Sequence, residues 1–393
     1  MSLPKSPSKP IHVLVNGANG YLGAAVCRSF LRARAPPGRH YVVYGLVRRE
    51  STADALARDE VIPIVGSISD PDGLSNILFG HSKTWDVIAT CTEPSKVDAA
   101  VEAQHWTDII HIIVKLATSS VETANIRPFV LWSSGCKDYG TTLLHGDSLL
   151  KAHDESSPIQ PVPQIKGRTE GARRAIEASD KNGGSGAFDI AVLRPTPLYG
   201  YSGSYYSAAF AYMDEYAAAI QGHRQTADKV KLGISGQGIL HGLHVDDCSD
   251  AYVALAETAL YGTTANGGLD AEAGRAEVSG QVFNIGTEEY ETVEQIVTAL
   301  STDYGFVGAE FDVPEQDLPE SMRNNTNMYV FGHSQWVASE KIRRLTGWRE
   351  RRPLFYQNIS VYRLAYEAAR QTGDDVIGKV QRRFGGNWNE EAK

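Results

Sequence analysis

The feature that most constrains the fold is a glycine-spaced turn near the start of the chain. A short apolar run at 11–15 is followed at once by GANGYLG (17–23) and then by a helical pattern, AAVCRSFLRARA. In the spacing GxxGxxG, Gly17 permits a tight turn, Gly20 lets the backbone approach a phosphate, and Gly23 lets helix and strand pack closely. Between a strand and a helix, this spacing predicts a site for the pyrophosphate of a dinucleotide at the helix N-terminus.

Further along, short apolar runs alternate with helical patterns at 97–116 and 166–179. Two glycine-rich stretches, 181–187 and 262–274, are predicted to be surface insertions. Strands that alternate with helices predict an α/β fold, a doubly wound parallel sheet whose ligand lies at the carboxyl ends of the strands. The further strands are expected at YVVYGLV (41–47), IPIV (62–65), WDVIAT (85–90), FVLW (129–132) and DIAVLR (189–194).

The alternation breaks at Tyr199, where aromatic and small residues take over, so a second, smaller lobe is expected to begin there. The expected divisions are a disordered arm at 1–10, a dinucleotide-binding domain at 11–198 that is rejoined by 244–287, and a substrate-binding lobe formed by 199–243 and 288–393.

The bulk composition limits the classes of partner. The 393 residues are 42% hydrophobic and 22% charged, and the net charge of −9 argues against nucleic acid or an anionic membrane as the partner. No apolar stretch approaches the length of a membrane span. The four cysteines show neither a CxxC pair nor metal-ligand spacing, so we expect reduced thiols, no metal and a cytoplasmic protein. The expected partner is a small-molecule substrate, and a homodimer is left open.

The end of the second predicted strand indicates which dinucleotide binds. An NAD enzyme places an acidic residue there for the ribose 2′-hydroxyl, whereas an NADP enzyme places a cation for the 2′-phosphate. This strand ends in LVRRE, so Arg48 and Arg49 stand there with no acid before them. Arginine binds a phosphate through two charge-assisted hydrogen bonds. We therefore predict NADP(H), with NAD as the alternative if both arginines are only solvated.

Six motifs carry a family resemblance. They are GANGYLG (17–23), WSSGCKDYG (132–140), LRPTPLYG (193–200), HVDD (244–247), FNIG (283–286) and GW (347–348). With these motifs in this order, the chain resembles the extended short-chain dehydrogenase/reductases, the NAD(P)-dependent epimerase/dehydratase group. The resemblance implies a Rossmann-type domain, a smaller C-terminal substrate lobe and an active site in the cleft between them.

The same resemblance implies cofactor contacts by position. Lys166, the best match to a lysine that the family uses, would hold the nicotinamide ribose. The family prefers an aspartate where Ser67 stands, and packing at a strand end explains any one of the contacts at 67–68, 90–92 and 195–198 better when that contact is taken alone. The implied contacts are Gly17, Asn19, Gly20, Tyr21, Leu22 and Gly23 at the pyrophosphate, Ser67 and Ile68 at the adenine, Thr90, Cys91 and Thr92 at the nicotinamide ribose, and Pro195, Thr196 and Leu198 beside the nicotinamide.

The sequence departs from the family at the catalytic residues. The family places a relay serine or threonine after the fifth strand and a YxxxK motif on the next helix, whose lysine lowers the tyrosine pKa. Here Gly135 stands at the serine position, and the residue four places before Lys166 is Val162; four places before Arg168 it is Gln164. Neither register supplies a tyrosine. The remaining candidates in the loop are Ser133, Ser134, Lys137 and Tyr139.

Three hypotheses follow from the missing pair. The first is a reductase in which Lys137 or Tyr139 donates the proton. Its support is that SGCKDYG is similar to the loop of the plant steroid 5β-reductase and iridoid-synthase branch, although that branch's separate tyrosine motif has no match here. The second is a non-redox isomerase, lyase or cyclase that retains NADP, and the third is an inactive Rossmann protein that senses cofactor or binds a partner. We favour the first, acting on a small aromatic or apolar carbonyl compound of secondary metabolism.

The candidate pocket residues follow strands four to six and precede HVDD. A sugar nucleotide is disfavoured because RPTPLYG lacks the asparagine, and GILHGL the arginine, that many enzymes of sugar nucleotides use. The tyrosines favour an aromatic substrate, unless core packing of the small lobe uses their rings. A histidine here would titrate near neutrality as an acid or base, or be held structurally. The predicted substrate contacts are Glu93, Tyr139, Tyr199, Tyr205, Tyr206, His241 and His244.

Overall fold

The structure, a computed structural model, describes residues 8–94, 98–180, 184–221, 228–262 and 270–372. The strands of the described residues are β1 (Lys9–Asn16), β2 (Arg39–Val47), β3 (Ile62–Val65), β4 (Val87–Thr90), β5 (Phe129–Ser133), β6 (Asp189–Pro195), β7 (Leu198–Tyr199), β8 (Val230–Lys231), β9 (Ile239–Leu240), β10 (Leu243–His244), β11 (Gln281–Ile285), β12 (Glu291–Thr292) and β13 (Ala309–Glu310). Seven of them form one parallel sheet in the order β11-β6-β5-β4-β1-β2-β3. The order in which the chain adds strands reverses between β1 and β4, which confirms the predicted doubly wound fold.

Helices cover both faces of the sheet. The side chains of β5 alternate: Phe129 and Leu131 point into the core that holds α1 and α7, and Val130 and Trp132 into the core of α3, α4 and α5. Strands buried on both faces explain the continuous apolar runs of the sequence. The helices are α1 (Tyr21–Arg32), α2 (Ala53–Arg58), α3 (Pro71–His81), α4 (Ala99–Ala124), α5 (Lys166–Ser179), α6 (Ser207–Ala219), α7 (Val245–Tyr261), α8 (Ala271–Val278), α9 (Val293–Asp303), α10 (Glu340–Thr346) and α11 (Ile359–Thr372).

Several element bounds differ from the predicted ones. Helix α4 runs past its predicted end at 116 and stops where Asn125 adopts the left-handed conformation, with φ of 53°. Strand β1 begins at Lys9, inside the predicted arm, because Lys9 pairs with Arg39; residues 1–7 of that arm lie outside the described residues.

The two predicted surface insertions are described only in part. Residues 181–183 of the first and 263–269 of the second lie outside the described residues. Part of the second is not a loop: Asp270 accepts a hydrogen bond from the Ala273 N–H and begins α8. An N-terminal capping aspartate explains the start of this helix in a glycine-rich region.

The smaller lobe has its own core, which is built largely from aromatic rings. The Tyr206 and Phe355 ring centroids are 4.5 Å apart, and the Phe355 and Tyr362 rings stack 5.5 Å apart, parallel to within 9°. Tyr199 packs edge-on against Tyr206 and Tyr362, at 5.6 and 5.4 Å. Tyr199 and Tyr206 are buried, so these two rings belong to the lobe core and not to an open pocket.

An ionisable side chain lies inside this aromatic core. Glu291 of β12 is fully buried, and its Oε1 accepts a hydrogen bond of 2.7 Å from the Tyr356 N–H. Its Oε2 has no hydrogen-bond partner among the described residues. Burial raises the pKa of Glu291 to about 8, because the surrounding rings do not solvate a carboxylate.

The Glu291→Gln variant is expected to remove a pH dependence of stability. The folded protein holds a proton on Glu291 up to about pH 8, whereas the unfolded chain releases it near its ordinary pKa, about 4.3. The free energy of unfolding therefore falls as pH rises through this window, by at most about 1.4 kcal/mol per pH unit. From pH 5 to pH 8, we expect the free energy of unfolding of the variant to rise by roughly 2–4 kcal/mol relative to that of the wild type. Urea unfolding at a series of pH values measures this, with the exposed Glu289→Gln as control; parallel curves for wild type and Glu291→Gln would contradict it.

Candidate active site

The turn between β1 and α1 forms a cradle that fits a pyrophosphate. Gly17 has φ of +78°, and a Cβ atom on it would lie 2.7 Å from the Cys91 carbonyl oxygen. A Cβ atom on Gly23 would lie 2.1 Å from the Gly17 carbonyl oxygen. Gly20 is the N-cap of α1, and no side chain caps the helix there. The first N–H groups of α1 are therefore open to an anion.

The remaining residues of this turn contribute in different ways. The Tyr21 hydroxyl donates a hydrogen bond of 2.6 Å to the carbonyl oxygen of Gly200, at the start of the smaller lobe. Any cofactor contact from Tyr21 is thus expected through its backbone. Leu22 packs against the α1 and α7 core, and Asn19 is exposed at the tip of the turn.

Two arginines follow β2 at the carboxyl edge of the sheet, where β1 also ends. Arg48 and Arg49 are exposed, and neither has a carboxylate partner among the described residues. Arg48 lies near α4, since burial and then the Arg48 charge lower the pKa of His105. After β3, Ile68 is buried, while Ser67 is exposed and bonds Ser69 at 2.8 Å. These side chains lie where a dinucleotide would place its adenosine half.

The ends of β4 and β6 are mostly buried. Thr90 is buried, and its Oγ1 accepts from the Ser133 N–H at 3.4 Å. Burial raises the pKa of Cys91 to about 12, so its thiol stays protonated. Pro195 and Leu198 are buried, as is Thr196, whose Oγ1 has no hydrogen-bond partner among the described residues. Thr92 and Glu93 follow Cys91 and are half-buried.

The loop WSSGCKDYG folds inward around a carboxylate. Asp138 is fully buried, and it accepts hydrogen bonds from Ser134 Oγ (2.6 Å), Thr169 Oγ1 (2.9 Å) and Arg194 Nε (2.9 Å). Arg168 Nη2 lies 3.4 Å from its Oδ1. One carboxylate therefore joins the loop to α5 and β6. Ser134, a predicted catalytic candidate, is buried and donates its hydroxyl hydrogen bond to this carboxylate.

Tyr139 lies in the protein interior. Its hydroxyl accepts a hydrogen bond of 2.8 Å from Arg194 Nη1 and donates one of 2.9 Å to Asn284 Oδ1. The Arg194 guanidinium carbon lies 4.7 Å from the centre of the ring, and burial raises the pKa of the hydroxyl. The predicted roles of Tyr139, as proton donor or pocket wall, do not fit this position, because the ring is 2% exposed and both partners of the hydroxyl are internal.

Lys137 is more exposed than the residues on either side of it, Cys136 and Asp138. It is half-buried, and it lies near His333 of the smaller lobe, since burial and then the Lys137 charge lower the pKa of His333 to about 4. The loop backbone here is anchored to the lobe, because Gln335 Nε2 donates to the carbonyl oxygens of Cys136 (2.5 Å) and Gly140 (2.9 Å). Lys137 therefore lies where the sheet domain meets the lobe.

Ser133 is the other hydroxyl at the end of β5. Its Oγ lies 2.6 Å from the Tyr252 hydroxyl of α7 and donates towards Cys91 Sγ at 3.7 Å. Tyr252 is fully buried, and burial raises its pKa well above the ordinary value. Ser133 is half-buried at the carboxyl edge of the sheet.

A family model decides the affiliation. The model of the NAD dependent epimerase/dehydratase family matches residues 13–286, about two thirds of the chain. The chain belongs to the NAD dependent epimerase/dehydratase family. This confirms the family resemblance, with five of the six sequence motifs inside the matched residues, and it supports a nicotinamide dinucleotide as the cofactor.

Solved structures of this family share the fold. A UDP-glucose 4-epimerase from Thermotoga maritima, solved with UDP-glucose, is 16% identical, with a TM-score of 0.58 over 93% of this chain and 100% of that chain. A dTDP-glucose 4,6-dehydratase from Bacillus anthracis, solved with NAD, is 16% identical, with a TM-score of 0.61 over 92% and 98% of the two chains. A UDP-glucuronic acid 4-epimerase from Bacillus cereus, also with NAD, is 17% identical, with a TM-score of 0.59 over 93% and 98%. No curated protein matches the chain.

Neither a membrane-spanning helix nor a metal-binding cluster is found among the described residues. Among these residues no helix is both long and apolar enough to cross a bilayer. Within the same part of the chain, no group of three or more His, Cys, Asp or Glu side chains is arranged to hold a metal ion.

Helix α5 turns Arg168 towards the candidate site, whereas the sequence predicted Lys166 there. Lys166, the expected ribose contact, is exposed at the first residue of α5. Arg168 points inward instead, with its side chain 15% exposed and its Nη1 3.8 Å from Glu93 Oε1. A Cβ atom on Gly135 would lie 2.9 Å from the Arg168 guanidinium. Arginine therefore lies over the position where the family has its relay hydroxyl.

The predicted pocket histidines have structural roles. His241 Nδ1 accepts from the Val337 N–H at 3.2 Å, and its Nε2 lies 2.9 Å from the Thr287 carbonyl oxygen. His244 is the N-cap of α7, where its Nδ1 accepts from the Asp246 N–H at 3.1 Å. Burial lowers the pKa of each histidine to about 4, so neither is an acid or base near neutrality.

The predicted pocket tyrosines are mostly core residues. The Tyr199 hydroxyl donates to the Pro353 carbonyl oxygen at 2.6 Å, and Tyr206 is buried among rings. Only Tyr205 of these three is half-buried and packs at the edge of the lobe core. The interior positions of Tyr199 and Tyr206 do not support their predicted contacts with a substrate.

Several residues at the site carried no recognised sequence signal. Asp138 lies within the motif that was singled out, yet its neighbours in the chain do not reveal a carboxylate shared by three elements. His333 lies outside every family motif, and Tyr252 lies in a helix that was expected only to pack on the sheet. Their roles depend on contacts between distant parts of the chain, such as the 119 positions between Ser133 and Tyr252.

Proposed function

We propose that the chain is an NADP(H)-dependent reductase of a small aromatic or apolar carbonyl compound, in which Lys137 donates the proton. One observation carries this proposal: Tyr139 is engaged by Arg194 and Asn284, whereas Lys137 is half-buried where the loop meets the lobe, beside His333. Of the two candidate donors in the loop, Lys137 is therefore the one in a position to meet a substrate.

Different residues of the chain have different roles in the proposed reduction. When bound, NADPH supplies a hydride to the carbonyl carbon of the substrate. The turn at 17–23 would hold the pyrophosphate, and Arg48 and Arg49 would hold the 2′-phosphate. Lys137 gives a proton to the carbonyl oxygen as negative charge develops there, which completes the alcohol, and water returns a proton to the amine. His333 stays neutral near pH 7, because its pKa is about 4, so it adds no competing charge.

The Arg48→Ala/Arg49→Ala double variant is expected to bind NADP⁺ about 10- to 100-fold more weakly than wild type, the range of hydrogen bonds to a charged group. Binding of NAD⁺ should change little, because it has no 2′-phosphate. Calorimetric titration with both dinucleotides measures this. The exposed Arg58→Ala on α2, which removes one positive charge away from the candidate site, is the control. Tighter binding of NAD⁺ than of NADP⁺ by the wild type would contradict the cofactor assignment.

A second function is favoured by the position of Arg168. Its guanidinium is fixed over Gly135 by Asp138 and lies near Glu93. A fixed cation at the ends of β4 and β5 would stabilise the oxyanion of an enolate. The chain would then be an isomerase, lyase or cyclase that retains NADP(H) without changing its redox state.

A turnover assay distinguishes these functions. Purified protein is incubated with NADPH and a panel of aromatic and apolar aldehydes, ketones and enones. UDP-glucose is included, because a structure of similar fold was solved with it. One NADPH oxidised per alcohol formed supports the reductase. A rearranged product with no change in NADPH overturns it and supports the isomerase. Absence of dinucleotide binding would overturn both and leave a partner-binding protein.

A further inference from the structure

A cavity of about 470 Å³ lies apart from the candidate active site. It is bounded by the turn after β11, by α10 and by the segment that precedes α10. Val337 of this segment packs on its other side against Cys136 and Tyr139 of the strand-five loop. The segment therefore separates the cavity from the loop. The lining residues are Ala152, Thr287, Glu288, Trp336, Val337, Ala338, Ser339, Glu340, Arg343, Arg344 and Arg349.

The cavity opens beside the most basic stretch of an acidic chain. KIRRLTGWRERR (341–352) holds six cations and one acid, whereas the net charge of the chain is −9. Arg343 is buried and already neutralised, because its Nη2 donates to Glu350 (2.6 Å) and to the Gly286 carbonyl oxygen (2.9 Å). Arg344 and Arg349 are exposed and have no carboxylate partner among the described residues.

The rest of the lining restricts what these two arginines can bind. The wall includes the half-buried Trp336 ring and Ala338, so the body of a ligand would be apolar and planar. Glu288 and Glu340 also line the cavity and would repel a polyanion. The lining fits a single anionic group near the arginines, attached to an apolar body.

We propose that this cavity is a second ligand site, for an aromatic carboxylate or a similar organic anion. The anionic group lies between Arg344 and Arg349, where guanidinium groups bind oxyanions through charge-assisted hydrogen bonds. The aromatic body lies against Trp336. The site is independent of the proposed reductase chemistry, because its lining includes none of the residues proposed to hold NADP(H) or to donate the proton.

Calorimetric titration of the full-length protein with naphthoate, in the presence of saturating NADP⁺, tests the site. We expect saturable binding at one site per chain. The Arg344→Ala/Arg349→Ala variant should bind about tenfold more weakly, since exposed ion pairs contribute modestly. Arg351→Ala, an exposed residue of the same stretch outside the cavity lining, is the matched control and should stay within about twofold. Ala152→Phe, which adds a ring to the cavity lining, should weaken binding, with an unchanged melting temperature.

Three outcomes would overturn the proposal. The first is a titration that does not saturate. The second is an equal loss of affinity in Arg351→Ala, which would show diffuse attraction to the basic stretch. The third is naphthoate binding that occurs without NADP⁺ but not with saturating NADP⁺, which would place naphthoate in the cofactor cleft. Failure of the reductase assay would leave this site untouched, because the titration follows binding and not turnover.

Discussion

Lys137→Ala is expected to lower turnover by about 10²- to 10⁴-fold, the contribution of a positioned acid–base group. The reason is positional. The carboxyl end of β5 faces the cleft, Tyr139 is engaged by internal partners, and Lys137 lies at the junction with the lobe near His333. The steady-state rate of NADPH oxidation with the best substrate of the panel measures the effect. NADP⁺ affinity and the melting temperature should not change.

Two further variants separate proton donation from simple electrostatics. Lys137→Arg keeps the positive charge, but a guanidinium does not release a proton near neutral pH. If Lys137 is the donor, Lys137→Arg should be nearly as impaired as Lys137→Ala. Full activity of Lys137→Arg would instead show that only the charge matters. Lys151→Ala, an exposed lysine in the segment after the loop, is the matched control and should behave as wild type.

The sheet could be predicted from sequence because its signals are local. Each central strand is a continuous apolar run, and GANGYLG placed one strand end and one helix start without any long-range information. The family membership, now shown over residues 13–286, was carried by motifs at successive strand ends for the same reason. Three of these motifs, GANGYLG, WSSGCKDYG and LRPTPLYG, lie at the carboxyl ends of β1, β5 and β6.

The inward face of α5 could not be predicted in this way, since packing against α4 decides it. A Cβ atom on Gly167 would lie 2.2 Å from the Glu102 carboxylate, and one on Gly171 would lie 2.7 Å from the Trp106 ring. These two glycines therefore set α5 close against α4. Lys166 and Arg168 lie about 100° to either side of Gly167, so one must turn outward and the other inward. The motif comparison favoured Lys166, which is exposed, whereas the packing turns Arg168 inward.

The pocket tyrosines show a second limit of sequence reasoning. A tyrosine can line a pocket or fill a core, since its ring is apolar and its hydroxyl needs one partner. The Tyr199 hydroxyl finds that partner in Pro353, 154 positions away. Nothing near Tyr199 in the chain announces this contact. The role of Asp138 could not be predicted for the same reason, because its partner Arg194 lies on β6, 56 positions further along the chain.

Asp138→Ala is expected to destabilise the protein by about 3–5 kcal/mol, the usual cost of breaking a buried ion pair from one side. Without the carboxylate, Arg194 keeps its charge in the interior, where it is 7% exposed, and Ser134 and Thr169 lose their acceptor. Arg168 also loses the carboxylate that fixes it over Gly135. Urea unfolding measures the change. Asp147→Ala, an exposed aspartate of the following segment, should cost less than about 1 kcal/mol.

A double-mutant cycle with Arg194→Ala shows whether the cost comes from the pair. If the uncompensated charge dominates, removing both partners should cost less than the sum of the two single losses, by about 0.5–3 kcal/mol. Tyr139 provides an internal check, because its hydroxyl accepts from Arg194 and not from Asp138. The Tyr139 hydroxyl therefore loses its Arg194 donor both in Arg194→Ala and in the double variant, so this loss does not contribute to the coupling energy. A strictly additive cycle would mean that Asp138 acts through its hydroxyl donors, as an anchor of the loop, and not through the buried charge of Arg194.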